Sequence, residues 1–476
     1  MLRTLVKDSA VYAVGTIASR LVGFITIPVY TRVLTPADYG IIETIIRLVD
    51  VIGLFLSLGL AEALLRHYYL AKTDDERHRL IGTVFAVNLL VIMAGALIFY
   101  PLSPWLTRLA FGHERYTHYV ALSLLGMLIG SLIELPLTVW RAEGKPWRFT
   151  TISLLKLFTQ LGTNIILVVW LRWGVWGVVM SGLLNAVLWS VVLGVLVRLR
   201  YGSYFDKRWL APVLRYGLPL VPASLSQFVL HYSDRFFLVR YVSESELGLY
   251  SLAYRFGMLV SVFFGVVSRA WWPWVFEVAA ATQSEYHLRR GASLLLVTAT
   301  IFCSGVILLA APIIRLLSAP PFHAASLFVA PIALGYWFFV LSSVFRIGAL
   351  VSNRTDVFAA ANILSAAVCL ILNVTLIPLF HVWGAACATL GSFMTFTLFV
   401  AIGSHRVYAI RHDARILTLA VVLLVSVSVC SYLFSASLWV DVGWRTILWL
   451  VVVGVSLAVM VKTQGVRLPW PVLRRS

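Results

Sequence analysis

Two stretches of this 476-residue chain match each other without a gap. Residues 32–47 read RVLTPADYGIIETIIR, and residues 240–255 read RYVSESELGLYSLAYR. Both carry an arginine, a hydroxyl residue, an acid, a glycine and a second arginine in the same order: Arg32 and Arg240, Thr35 and Ser243, Asp38 and Glu246, Gly40 and Gly248, Arg47 and Arg255. Repeats on the scale of half a chain are typical of secondary transporters, in which one half moves against the other. The pattern therefore favours transport over chemistry on a bond.

The composition predicts an all-α polytopic membrane protein. Apolar residues make up 61% of the chain and charged residues 12%, which excludes an ordinary soluble domain. Runs long enough to cross about 30 Å of hydrocarbon predict about fourteen spans. We place them at residues 9–32, 39–65, 80–103, 119–140, 149–171, 174–197, 213–239, 247–271, 291–317, 325–348, 357–380, 383–404, 416–439 and 444–461.

The net charge of +18 does not require a nucleic-acid partner. If the N-terminus is cytoplasmic, most of the 38 lysines and arginines fall in segments on that same side of the membrane. That asymmetry follows the positive-inside rule and places both termini in the cytoplasm. We expect no nucleic acid, and a multi-pass protein of a bacterial or archaeal cytoplasmic membrane.

The repeat divides the predicted spans into two parallel sets of six with two left over. Lys145 and Asn164 correspond to Arg354 and Asn373 at a spacing of about 209 residues. Six spans return the chain to its starting side, so the two halves are parallel repeats. We predict an N-terminal six-helix lobe at 1–205, a C-terminal six-helix lobe at 206–412, and two additional helices with a cytoplasmic tail at 413–476.

Ionisable side chains recur inside the predicted spans, where each costs about 2.5 to 3.5 kcal/mol to insert. Those that are retained usually face a cavity or each other. In the second span, positions i, i+4 and i+7 hold Glu43, Arg47 and Asp50, which places the three on one helical face. Two interpretations stay open: a self-neutralised cluster that holds helices together, and a charged wall of a transport cavity.

Arginines deep in the spans indicate an anion-binding cavity. Arg20 lies roughly twelve residues into the first span, about 18 Å deep at about 1.5 Å per residue. Arg47 and Arg255 lie on the second and eighth spans, which a two-bundle repeat places with the first around the central axis. Guanidinium groups bind phosphate through planar, two-pronged hydrogen bonds. We therefore expect these three residues, with Arg235 and Lys156, to bind the substrate.

Acids and one histidine in the spans are candidates for ion coupling. His231 lies one turn from Asp234 and can titrate near neutral pH, although a structural role is the alternative for a lone histidine in a span. Glu43 and Asp50 complete the predicted ion-coupling set. The sequence predicts no catalytic residue, no metal site and no cofactor, because no motif for them stands among the apolar spans.

Two stretches carry a family resemblance: ITIPVYTRVLTPADYGIIETIIRLVDVIGLFLSLGL at residues 25–60 and YSDRFFLVRYVSESELGLYSLAYRF at residues 232–256. They resemble the polysaccharide biosynthesis, or oligosaccharide flippase (Wzx-like), family of the multidrug, oligosaccharidyl-lipid and polysaccharide (MOP) exporter superfamily. The resemblance implies two six-helix lobes that alternate between inward-open and outward-open states. It also implies an undecaprenyl-pyrophosphate-linked oligosaccharide as substrate, surrounding membrane lipids, and a polysaccharide polymerase and assembly proteins as partners. The related flippases of lipid-linked peptidoglycan precursors use cavity arginines on the first, second and eighth spans, and the resemblance implies, as a hypothesis, the same role here for Arg20, Arg47 and Arg255.

Alternatives remain in three classes. An ion-coupled multidrug antiporter of the same superfamily favours acids in the cavity, and Glu43, Asp50 and Asp234 keep it open. A membrane polysaccharide polymerase or ligase usually carries a long extracytoplasmic loop, and no predicted outside loop here is long. A scaffold without transport activity has no need of arginines at the level of the membrane centre. We therefore expect a flippase that works by alternating access and is not an enzyme.

Overall fold

A computed structural model describes residues 26–202, 204–279, 284–408, 413–433 and 437–464. Residues 26–33 are helical, and within the described ranges no strand occurs. The further helices are α1 Pro36–Leu56, α2 Leu60–Leu70, α3 Asp74–Phe99, α4 Ser103–Phe111, α5 Thr117–Ala142, α6 Pro146–Asn164, α7 Gly174–Tyr201, α8 Lys207–Gly217, α9 Leu220–Tyr232, α10 Asp234–Tyr241, α11 Glu244–Gly257, α12 Leu259–Ala279, α13 Ser284–Leu317, α14 Val329–Phe345, α15 Ile347–Val351, α16 Asp356–Val407, α17 Ala414–Ser431 and α18 Leu438–Gln464. A π-helical turn, Ile165–Trp170, extends α6, and a 3-10 helix, Pro320–Phe328, precedes α14.

Twelve helical stretches in the described part of the chain are long and apolar enough to cross a membrane. The predicted all-helical class is therefore confirmed. The count of fourteen stays a prediction, because most of the first predicted span, 9–32, lies outside the described residues. One of the twelve, α16, is 52 residues long, about 78 Å at 1.5 Å per residue and more than twice the hydrocarbon thickness.

The repeat explains why α16 contains two predicted spans. His381 inside it has φ 50° and ψ −125°, so the helix is broken there. The corresponding residue of the first half, 209 positions earlier, is Arg172, which has φ 53° and stands in the turn between α6 and α7. Both halves thus reverse direction at the same repeat position. The predicted spans 357–380 and 383–404 lie on either side of His381.

The two copies of the opening motif form the same local structure. At the start of α1, the Thr35 backbone N–H donates to Asp38 Oδ2 at 2.9 Å, and the Asp38 N–H donates to Thr35 Oγ1 at 3.1 Å. At the start of α11, Ser243 N–H donates to Glu246 Oε2 at 3.0 Å, and Glu246 N–H donates to Ser243 Oγ at 3.3 Å. These reciprocal caps satisfy two free backbone donors at each helix start. The matching residues of the two motifs therefore form equivalent helix starts, at α1 and α11.

The described chain divides into two compact units. The first extends to Phe228 and also contains Arg235–Gly248; the second contains Val229–Asp234 and the chain from Leu249 onward. In the first unit, α5 packs along α7 and α1, with apolar residues of all three helices in one core. In the second unit, α14 packs along α16.

The repeat glycines of the first unit meet each other where α1 crosses the start of α11. A Cβ placed on Gly248 would lie 1.9 Å from the Pro36 carbonyl oxygen and 3.1 Å from the Gly40 nitrogen. A Cβ on Gly40 would lie 2.1 Å from the Glu244 carbonyl oxygen. Any larger residue at either position would force the helices apart. Small residues are the usual means of close helix packing in membranes, and here they bring two repeat-related helices into backbone contact.

A buried charge cluster links α18 to α13 within the second unit. Arg445 on α18 and Asp441 one turn earlier are both fully buried, and their Nε and Oδ1 atoms are 3.2 Å apart. Arg445 also donates to the carbonyl oxygens of Leu308 at 3.0 Å and Leu433 at 2.8 Å. Arg315 on α13 lies 3.2 Å from Asp441. Arg315 and Arg445 share Asp441, and these three charges join α13 to α18 inside the second unit.

Candidate functional site

In the first unit, the three charges of α1 form a row of ion pairs. Arg47 Nε donates to Glu43 Oε1 at 3.0 Å, and Arg47 Nη1 donates to Asp50 Oδ2 at 2.8 Å. The Glu43 side chain is 5% exposed, that of Arg47 17%, and that of Asp50 45%. The predicted placement on one helical face is therefore confirmed. Arg47 is held between one buried and one accessible carboxylate.

A second arginine approaches the buried end of this row. Arg235, at the start of α10, has a side chain only 2% exposed, and its Nε lies 3.4 Å from Glu43 Oε1. Glu43 is thus shared by two guanidinium groups, those of Arg47 and Arg235. Among the residues that the structure describes, these ion pairs join two acids, Glu43 and Asp50, with two bases, Arg47 and Arg235. Such balance is expected where charges are buried, because an unpaired ion is expensive to remove from water.

Lys156 lies on α6 of the same unit and is half-buried. Glu134 on α5 is the acid whose charge acts on it, but within the described residues the two side chains do not form an ion pair within 4 Å. Lys156 is therefore a cation of the first unit that is less closely neutralised than Arg47. Among the predicted substrate-binding residues of this unit, the structure brings Arg47 and Arg235 to one acid.

In the second unit, Asp234 is a buried carboxylate held by hydroxyl groups. It is 3% exposed. The Tyr250 hydroxyl donates a short hydrogen bond to Asp234 Oδ2, and Thr389 Oγ1 on α16 donates to the same oxygen at 3.4 Å. Tyr250 is fully buried. Three elements, the end of the 229–234 segment, α11 and α16, therefore converge on this single acid.

His231 lies in an aromatic cluster close in sequence to Asp234. Its Nδ1 is 3.0 Å from the Tyr336 hydroxyl, and its ring stacks on that of Tyr336 with centroids 5.6 Å apart. Tyr336 donates to the Tyr254 hydroxyl at 2.9 Å, which in turn donates to the His231 carbonyl oxygen at 2.5 Å. The closed chain of hydrogen bonds fixes the histidine ring. This geometry fits the structural alternative and leaves ion coupling as a prediction.

The remaining predicted residues are only partly placed. Arg255 lies in the last turn of α11 and is half-buried in the second unit. Arg20 lies outside the described residues, and Arg47 belongs to the first unit. The expected convergence of the three arginines therefore stays a prediction. No group of three metal-ligating acids, histidines or cysteines occurs in the described part of the chain.

Sequence reasoning missed the tyrosines of the second unit. Tyr250 and Tyr254 contact the predicted residues Asp234 and His231, yet neither was a candidate. The repeat held a usable signal, since at a spacing of 208 they correspond to Ile42 and Ile46. A polar residue that replaces an apolar one at a repeat position marks a local difference between the two halves.

Comparison with known proteins places the chain in a family. A family described as polysaccharide biosynthesis protein matches residues 29–320, more than half of the chain. The chain belongs to this family. The predicted family resemblance is thus confirmed, and the membrane-spanning helices are those of a multi-pass membrane protein of polysaccharide biosynthesis.

Two curated relatives are distant. A protein of the Lsg locus of Haemophilus influenzae is 23% identical over 286 residues, which cover 57% of this chain and 66% of that protein. The succinoglycan biosynthesis transport protein ExoT of Rhizobium meliloti is 22% identical over 240 residues, which cover 50% of this chain and 46% of ExoT. In both cases the match spans less than two thirds of the relative's length. It therefore shows that the proteins are related and does not identify a substrate or partners for this chain.

Solved structures agree on the fold. The lipid II flippase MurJ in an inward closed conformation has a TM-score of 0.77 at 16% identity, and the match covers 96% of this chain and 99% of MurJ. An inward-facing multidrug resistance transporter of the MATE family, within the MOP superfamily, has a TM-score of 0.63 at 17% identity, covering 82% of this chain and 98% of that one. The chain therefore has the fold that flippases and transporters of the MOP superfamily share.

Proposed function

We propose that this protein is a flippase that moves an undecaprenyl-pyrophosphate-linked oligosaccharide from the inner to the outer leaflet by alternating access. The cargo is an O-antigen, exopolysaccharide or capsule repeat unit. Family membership and the likeness in fold to a lipid flippase support the proposal. The single observation that carries it is Arg47, a guanidinium within a membrane span that is bound on its accessible side by an exposed carboxylate, that of Asp50.

An accessible carboxylate on an arginine is a ligand that a phosphate can replace. Phosphate forms the same charge-assisted, two-pronged hydrogen bonds with guanidinium as a carboxylate does. Glu43, buried between Arg47 and Arg235, stays in place and keeps the Arg47 side chain oriented. Pyrophosphate then displaces Asp50 from Arg47. Arg20, Arg255, Arg235 and Lys156 complete the proposed cationic site.

Displacement of Asp50 connects substrate binding with ion uptake. A carboxylate that loses its guanidinium inside a span is costly unless it gains a proton or a cation. Asp50 is therefore the coupling residue that this displacement exposes, and Glu43, His231 and Asp234 complete the proposed coupling set. No covalent bond of the substrate changes in this scheme, so the protein acts as a transporter and not as an enzyme.

The wider setting follows from the distribution of basic residues. We place the protein in a bacterial or archaeal cytoplasmic membrane, with both termini in the cytoplasm. The six-helix lobes at 1–205 and 206–412 move during transport, and 413–476 adds two helices and a tail. Polysaccharide polymerase and assembly proteins are the proposed downstream partners.

A multidrug antiporter is the second candidate function. The likeness to the MATE family transporter and the buried acid Asp234 favour it, because cationic drugs are attracted by acids. A membrane polymerase or ligase is a weaker third candidate. The antiporter and the flippase differ in the charge of their cargo, so a transport assay with both kinds of substrate separates them.

The test is flipping of a fluorescent undecaprenyl-pyrophosphate oligosaccharide in proteoliposomes. We expect wild type to flip it and Arg47→Ala to lose at least about tenfold in rate, since one charge-assisted contact contributes about 1.5 to 3 kcal/mol. Arg20→Ala and Arg255→Ala should behave similarly. Arg108→Ala is the matched control, because Arg108 pairs with Glu114 on an exposed helix end. Wild type that flips no such lipid but exports cationic dyes would establish the antiporter instead.

A further inference from the structure

An open pocket of about 610 Å³ lies at one end of the first unit, between the last turns of α5 and α7 and the first turns of α6. Its walls are mostly apolar and aromatic, with Trp140, Trp147 and Leu196 among them. Two arginines, Arg148 and Arg200, stand in the same wall. The pocket lies wholly within one unit and contains none of the residues assigned above to transport.

The charge at this pocket is positive. Arg148 is exposed and forms no ion pair in the part of the chain that the structure describes. Glu143 is the acid beside the pocket, and it is already engaged by Lys145 Nζ at 2.5 Å and by the Tyr201 hydroxyl at 2.6 Å. Burial alone raises the pKa of the Glu143 carboxyl, but these hydrogen bonds outweigh it and hold the pKa below its ordinary value. Glu143 therefore remains charged at neutral pH.

Glu143 and Tyr201 position Arg200, and most of its N–H donors remain available. Its Nη2 lies 3.3 Å from Glu143 Oε2, and its guanidinium carbon lies 5.3 Å from the centroid of the Tyr201 ring. A guanidinium has five N–H donors, so most of them stay available to a second anion. With Arg148, the pocket presents two guanidinium groups. The nearby carboxylate, Glu143, is shared between Arg200 and Lys145.

The apolar side of the pocket continues along the exposed face of α7. Trp147 is 63% exposed and Leu199 80%. Beyond them, α7 exposes further large apolar residues toward the middle of the span: Leu188, Val191, Val192, Val195 and Leu196. In a membrane this face contacts lipid tails. An exposed tryptophan such as Trp147 is typical of the headgroup level of a bilayer.

We propose that this pocket binds one anionic phospholipid of the bilayer, with its phosphate on Arg148 and Arg200 and an acyl chain along Leu196 and Leu199. Basic pockets between membrane helices on the cytoplasmic side are suited to anionic headgroups, and the basic residues here mark that side under the orientation proposed above. Because α5, α6 and α7 all belong to one unit, the bound lipid stabilises that unit and is separate from the transported cargo.

The experiment uses the purified full-length protein in detergent with phosphatidylglycerol as the probe, and phosphatidylcholine as the zwitterionic comparison. Binding is read by native mass spectrometry and by the rise in melting temperature, which follows ligand occupancy. We expect phosphatidylglycerol to bind more tightly than phosphatidylcholine. R148Q/R200Q should weaken phosphatidylglycerol binding about twenty-five-fold, from about fivefold for each basic residue near a membrane surface.

The control is R208Q/R354Q, which removes two exposed arginines outside the pocket, each near the start of a helix. An equal loss in this control would overturn the proposal in favour of diffuse charge attraction. Equal binding of phosphatidylcholine would overturn the proposal, because it would show an apolar groove without preference for an anionic headgroup. Preferential binding of undecaprenyl pyrophosphate would make it a cargo site. R148Q alone, on an exposed side chain, should fold normally and lose about fivefold, so the test does not depend on the double variant. Flipping is not measured, so the result is independent of the proposed transport function.

Discussion

Replacing Gly248 with alanine should destabilise the first unit where α1 crosses the start of α11. The new Cβ would lie 1.9 Å from the Pro36 carbonyl oxygen, whereas carbon and oxygen in contact lie about 3.3 Å apart. The helices must therefore separate locally by about 1.4 Å. Overpacking costs about 1 to 3 kcal/mol, and the upper value applies because the obstacle is helix backbone that cannot rotate away. Alanine returns up to about 1 kcal/mol through its helix preference, so the net loss is about 2 kcal/mol.

Equilibrium unfolding in mixed detergent micelles, followed by tryptophan fluorescence, measures this loss. Gly40→Ala should cost a similar amount, because its Cβ would meet the Glu244 carbonyl oxygen at 2.1 Å. The double variant should lose clearly less than the sum of the two, since the separation forced by one methyl group accommodates the other. Gly194→Ala on α7 is the control, because a Cβ there meets nothing within 4 Å. Full additivity, or a Gly248→Ala variant as stable as Gly194→Ala, would refute the close crossing.

Three further outcomes are expected. Glu43→Gln should lower the unfolding free energy by about 3 to 5 kcal/mol, because it removes a buried carboxylate from two arginines. Asp50→Asn changes a side chain that is 45% exposed and should lower it by less than about 1 kcal/mol. Equal costs would contradict the burial of Glu43 between the two arginines. The pKa of Glu143 is lowered, so its stabilising effect is complete above about pH 4.5 and is lost as the pH falls below it; melting curves of Glu143→Gln should lack this acid-side loss. Asp441→Asn leaves Arg445 buried without its acid and should cost about 3 to 5 kcal/mol, measured by the same unfolding titration; a neutral result would mean that the carbonyl contacts alone hold α18.

The sequence was sufficient for features that depend on neighbours along the chain. Hydropathy predicted the all-helical class and spans within the described residues. The order of hydroxyl, acid and glycine marked equivalent positions in the two halves, and the structure shows that these are the capped starts of α1 and α11. Spacing also predicted that Glu43, Arg47 and Asp50 share one helical face, because helix geometry alone brings them together. Their ion pairs correspond to one of the two interpretations that the sequence left open. It could not predict that Arg235 shares Glu43, or that Thr389 reaches Asp234. Those contacts join residues far apart in the chain, and they depend on how the helices pack.

The two copies of the repeat keep the residues that shape the helices and differ at some polar side chains inside the spans. At the positions that cap or cross helices, the two copies carry equivalent residues, because both halves need the same local geometry. At some polar positions inside the spans they differ: Glu43 corresponds to Ser251, and Tyr250 corresponds to Ile42. Other charges are kept in both copies, among them Arg32 with Arg240 and the span arginines Arg47 and Arg255. Under the proposed function, unlike side chains in the two copies of a repeated frame suit a cargo whose ends differ, with a pyrophosphate at one end and a glycan at the other.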